Sequence, residues 1–126
     1  MIKPKKRFFN GIFFAKPISG FRTSFEYNNI LFFLAGEIIK AVTGISWEEF
    51  VKERIFKPLN MENSYTSITE YSKQSYYASS HEIIGGKVEV IPLRNIDNFG
   101  SAGSINSNII DMAQWLKMQM NNGMYN

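Results

Sequence analysis

A chain of 126 residues with 44% hydrophobic and 20% charged residues has the composition of one small folded domain and not of a disordered segment. Its formal charge of +3 is local: Lys3, Lys5, Lys6, Arg7 and Lys16 crowd the start, and no basic stripe follows that would suit a nucleic acid. Without cysteine and with His81 as its one histidine, the chain can form no disulfide or thiolate nucleophile and has almost nothing for a metal centre or a His-dependent triad, so neither metal nor cofactor is expected.

Residues 1–16 read as a basic tail. The apolar cluster Phe8, Phe9, Ile12, Phe13 and Phe14 follows a charged start as in a signal peptide, but Asn10 and Gly11 interrupt it and no small-residue cleavage pattern follows. A solvated tail is the simpler reading, with weak attraction to an anionic membrane as the alternative. Asn28 to Val42 is predicted to be a helix, with Leu31, Leu34, Ala35, Ile38 and Val42 at helical spacing and Gly44 as its stop. Its first half is apolar nearly all round, which calls for cover on several sides. Glu37 and Lys40 close the apolar run well short of the roughly 20 residues of a membrane span.

Ser46 and Glu49 form an S-x-x-E capping box for the next helix, and Ile45 can staple onto Phe50. Trp47, Phe50, Val51, Arg54 and Ile55 give that helix one inward stripe, and Pro58 ends it. Residues 60–75 are polar and read as a surface loop. Tyr76 to His81 and Lys87 to Pro92 flank Gly85-Gly86, the pattern of a short hairpin. Residues 98–104 are rich in Gly and Ser, and a last helix is expected from about Asn108 to Asn121, with Ile109, Met112, Ala113, Leu116 and Met120 on one face and an Asn108 cap. Eleven Phe, six Tyr and two Trp ask for more covering surface than a chain this short readily supplies.

Tyr27-Asn28-Asn29 stands where a loop enters the first helix. A phenol has a reference pKa near 10 and becomes a useful base only beside a cation that favours the phenolate, while an asparagine amide offers a donor and an acceptor to orient an amide substrate. Alone, the triplet is as consistent with a packed tyrosine and a helix cap. After Ile30-Leu31-Phe32-Phe33 comes L-A-G-E-I-I-K-A-V-T-G-I-S-W-E-E-F, and P-L-N-M follows at Pro58 to Met61. Tyr77-Ala78 and His81 continue the series, as do Ala102-Gly103-Ser104-Ile105-Asn106-Ser107 and Asp111-Met112-Ala113. Over residues 17–126 this string resembles the serine β-lactamase-like and penicillin-binding-protein-like hydrolases, the group of class C β-lactamases, D-alanyl-D-alanine carboxypeptidases and related esterases.

The resemblance implies an α/β (α+β) fold of the β-lactamase/transpeptidase type, of which residues 17–126 are the helical lobe plus a short hairpin. It implies a site built on an S-x-x-K serine, a Y-x-N triplet and a K-T-G-type strand. Here only the triplet is present, because no serine is followed by lysine at the third position and Gly85-Gly86-Lys87 is not K-T-G. By the resemblance Tyr27 and Asn29 are the catalytic helpers, one in proton transfer and the other in positioning the acyl amide. His81, Gly103 and Ser104 are the candidates for substrate contact. His81 also fits an ordinary packing or surface residue of a short strand, and Gly103 and Ser104 fit a plain turn before a helix, which suits Gly100, Gly103 and Ser104 better than an anion-binding nest.

The expected function is therefore that of a fragment of a serine hydrolase acting on amide or ester bonds, inactive by itself, whose partners are a small-molecule or peptide substrate and the missing parts of the same fold. A non-catalytic binding module that keeps part of the cleft and one half of a split enzyme are the alternatives. Neither a signal peptide nor a transmembrane helix is expected, although members of the group are often exported.

Overall fold

The structure is a computed structural model that describes residues 11, 12 and 14–125. Lys3, Lys5, Lys6 and Arg7 of the expected basic tail lie outside those residues, as do Phe8, Phe9 and Phe13. Asn28 has an extended backbone and accepts a hydrogen bond from the Ile30 amide at 2.8 Å, which caps the first helix, α1 (Asn29–Thr43). Gly44 ends it in the left-handed region at φ 78, with its N–H on the Lys40 carbonyl.

Ser46 Oγ accepts from the Glu49 amide at 3.1 Å and starts α2 (Trp47–Val51), which continues as a π turn over Lys52–Phe56. The wide turn corrects the expected stripe. Lys57 N–H reaches the Lys52 carbonyl and Met61 N–H the Phe56 carbonyl, each spanning five residues, so the face that began at Trp47 and Val51 passes next to Phe56. Phe56 enters the core, Ile55 is half-buried, and Arg54 is exposed with its guanidinium 5.9 Å from the centre of the Phe50 ring. Val51, Phe56, Leu59 and Met61 form the core, with Trp47, Ile55, Trp115 and Met118 packed against it.

The expected surface loop is not one. Met61, Ser64 and Thr66 are buried, and the segment carries α3 (Ile68–Tyr71) behind a Ser67 cap. Its polar residues are inside because their partners are inside. Asp111, 2% exposed, accepts from the Asn63 amide at 2.8 Å and from Ser64 Oγ at 2.7 Å, while Ser104 Oγ donates to the Thr66 carbonyl at 2.6 Å. Tyr65 and Asn106 exchange two backbone hydrogen bonds beside them.

β1 (Ser80–Ile84) and β2 (Lys87–Ile91) pair antiparallel, His81 opposite Val90 and Glu82 opposite Glu89. The first strand lies later in the chain than the expected Tyr76 to His81. Gly85 and Gly86 both have positive φ, 59 and 81, which a two-residue turn matching strand twist requires. A 3-10 turn over Asp97–Ala102 packs on α1, and α4 (Ile109–Met120) starts from Asn108, whose Oδ1 accepts from the Asp111 amide at 2.9 Å. The helix is as expected, but the stripe of Ile109, Met112, Leu116 and Met120 faces outward. The buried Asp111 and the core-packed Trp115 and Met118 mark the inner face. Among the described residues no single helix is long and apolar enough to cross a membrane.

Candidate active site

Tyr27 stands just ahead of the Asn28 cap, and Asn29 is the first residue of α1. Cap and helix start together bring the two side chains to the same end of α1, and Tyr27 Oη donates to Asn29 Oδ1 at 2.8 Å. With Oδ1 accepting, the Nδ2 amide is the group of Asn29 suited to donate to a carbonyl. Tyr27 is 65% exposed, and its ring rests on Phe32 at 5.5 Å between centres.

The tyrosine opens onto a groove of about 280 Å³ whose walls are Phe32 and Trp47 on one side and the backbone of Gly100, Gly103 and their neighbours on the other. None of the described residues lining it is charged, so nothing in the groove wall supplies the cation that a phenolate needs. Gly103 lines the groove, and a Cβ there would come no closer than 3.8 Å to Ile96 Cδ1, so space remains beside it. Ser104 does not share that position. It is 3% exposed and its hydroxyl is spent on the Thr66 carbonyl, which makes it a tie between segments. His81 lies exposed on β1 and is not among the lining residues. No group of three or more His, Asp or Glu that could hold a metal occurs among the described residues.

Trp47 and Ser101 are lining residues that the sequence reading assigned elsewhere. Two glycines lie beside them: a Cβ on Gly36 would strike Ser101, and one on Gly100 would lie 3.1 Å from Ser104 Oγ, while Trp47 would be in ordinary contact with both, at 3.5 Å and 3.4 Å. Neither glycine has a positive φ, and close approach is the remaining reason for each.

A family model described as Beta-lactamase matches residues 11–125. The chain belongs to the beta-lactamase family. It is 31% identical over 102 residues to the unguisins hydrolase ungD' of Aspergillus campestris and 35% identical over 103 residues to the protein flp of Staphylococcus aureus. These matches take in 75% and 77% of this chain but only 18% and 19% of those proteins. The solved structure of an octameric penicillin-binding protein homologue from Pyrococcus abyssi overlays with a TM-score of 0.72 at 31% identity, covering 87% of this chain and 24% of that one. The fold is thus of the β-lactamase/transpeptidase type, represented here by a helix-rich part with one short hairpin.

The family is one of serine hydrolases, and in this chain Tyr27 lines the groove while Asn29, its hydrogen-bond partner, is not among the lining residues. No S-x-x-K quartet occurs in its sequence.

Proposed function

We propose that this chain contributes the tyrosine and asparagine of a serine-hydrolase site for amide or ester bonds, such as those of β-lactams, peptidoglycan peptides or small esters, and that it forms no acyl-enzyme by itself. The observation that carries the reading is the Tyr27 Oη to Asn29 Oδ1 hydrogen bond of 2.8 Å beside an open groove. With a cation supplied from outside these residues to hold Tyr27 as the phenolate, a serine hydroxyl brought to that groove would pass its proton to Tyr27 as its oxygen attacks the substrate carbonyl. Tyr27 would then return the proton to the leaving amine or alkoxide, so the proton count closes over acylation. Asn29 would hold the substrate amide through its Nδ2 hydrogens. Both roles assist a nucleophile, and the residues for activating one, a serine with a lysine three positions on, are not in this sequence.

The experiment is mass spectrometry of the chain after incubation with a penicillin and with an activated ester. The expected spectrum shows unmodified protein. A stoichiometric adduct on any serine would overturn the reading and place a nucleophile within these residues.

A further inference from the structure

Asn60 and Asn122 hold the same backbone conformation at two helix ends. Both have a positive φ of 53, and both are exposed. In each case the N–H of the next residue closes a turn back onto the helix, Met61 on the Phe56 carbonyl at 2.8 Å and Gly123 on the Met118 carbonyl at 2.9 Å. The residues that follow the two asparagines differ. Met61 is buried in the core, whereas Gly123 has φ 82 and open space where a Cβ would stand. An asparagine is chemically labile when the backbone nitrogen after it can reach its side-chain amide, and a glycine there leaves the approach unobstructed. Asn106, followed by Ser107, is held differently: it is half-buried and its Nδ2 donates to the Ser104 carbonyl at 2.9 Å.

We infer that Asn122-Gly123 is a site of spontaneous deamidation whose rate is governed by the last turn of α4. The Gly123 nitrogen bonds to Asn122 Cγ, the Cγ–Nδ2 bond breaks, and the proton of that nitrogen leaves with Nδ2 as ammonia. Water then opens the five-membered imide on either side of the Gly123 nitrogen. Breaking its bond to Cγ gives aspartate, and breaking its bond to the Asn122 carbonyl carbon gives isoaspartate. The balance is water consumed and ammonia released, with no oxidant or reductant. While the Gly123 N–H donates to Met118 its nitrogen is engaged in the turn, so ring closure waits for the turn to open. Asn121 Nδ2, donating to the Met124 carbonyl at 3.1 Å, braces the same turn. The product works against that turn. Isoaspartate adds a carbon to the backbone and sets a carboxylate at a helix end whose own carbonyls are already partly negative. Because α4 carries Trp115 and Met118 against the core, the modification loosens a helix on which the core depends.

The test is peptide mapping of the whole chain held at mildly alkaline pH, with aspartate and isoaspartate scored at Asn60, at Asn122 and, separately, at Asn10 of the other Asn-Gly pair. Asn122 should convert about tenfold or more faster than Asn60, and its conversion should quicken by about tenfold in unfolding urea, where the turn is gone. Amide exchange at residues 117–120 should be faster in the converted chain than in the fresh one. Asn122→Gly accepts the same φ and has no side-chain amide, so on ageing it should show neither the product nor the faster exchange. Conversion at Asn122 no faster than at Asn60 would overturn the site. Equal rates in buffer and in urea would overturn control by the turn, and unchanged exchange in a fully converted chain would overturn the effect on α4.

Discussion

Gly36→Ala tests the contact that holds the groove together. Gly36 is where α1 meets the 3-10 turn, and an added Cβ would lie 2.3 Å from Ser101 Oγ and 2.5 Å from Ser101 Cβ. The second distance decides the sign, because Ser101 Cβ is fixed to its backbone and cannot swing away. The turn must move, at an overpacking cost of about 1–3 kcal/mol, and the Ser101 Oγ bond to the Phe33 carbonyl at 3.3 Å goes with it. Against this stands the helix preference for alanine over glycine, about 1 kcal/mol. The net expectation is a loss of about 1–2 kcal/mol. Trp47 lies beside Gly36, so urea unfolding of the Trp115→Phe background, followed by tryptophan emission at high dilution, reads the contact directly. Gly36→Ala with Ser101→Gly should recover most of the loss, because the second change removes the atoms that are struck. A neutral or stabilising Gly36→Ala would mean that α1 and the turn are not packed as described.

Three further outcomes follow from local structure. Asp111→Ala strands the Asn63 amide and Ser64 Oγ in a buried site and should cost about 3 kcal/mol in urea unfolding, with Asp111→Asn losing less. Ser46→Ala removes the acceptor for the Glu49 amide and should cost about 1 kcal/mol by the same assay; a silent change would count against the α2 cap. Glu82 and Glu89 face each other across the hairpin, so Glu82→Lys should stabilise it by roughly 0.5 kcal/mol, seen as slower amide exchange in β1 and β2.

Much of the fold was legible because local chemistry and fold agree. Ser46 and Asn108 announce two helix starts, Gly44 an end, and Gly85-Gly86 a hairpin turn, each by an interaction complete within a few residues, whereas the first helix is capped by Asn28, one residue before the Asn29 that reads as a cap. What was not legible depends on distant partners. The polarity of residues 60–75 suggested solvent, yet Ser64 and Thr66 are buried because Asp111 and Ser104, far along the chain, take their hydrogen bonds. The outward row of α4 was visible as a row, but its direction is set by Asp111 on the other side. The π turn moved Phe56 inward, and nothing in a 3.6-residue repeat signals an extra residue. At the groove, the Tyr27 to Asn29 hydrogen bond joins residues two apart and so is visible in a local motif, whereas Trp47 reaches the groove only through the packing of α1 and α2 on the 3-10 turn.

The backbone exchange between Tyr65 and Asn106, backed by Ser104 on Thr66, has a consequence for how much the chain tolerates insertion. It pins the two ends of residues 66–105 together, and the hairpin tip at Gly85-Gly86 stands out near the middle of that closed loop with open space at both glycines. Closure entropy rises only logarithmically with loop length, so added residues at the tip weigh little on the pinned ends. A peptide tag or small reporter domain spliced between Gly85 and Gly86 should leave the core around Trp115 undisturbed, which makes that turn the natural handle for attaching a label to this part of the fold.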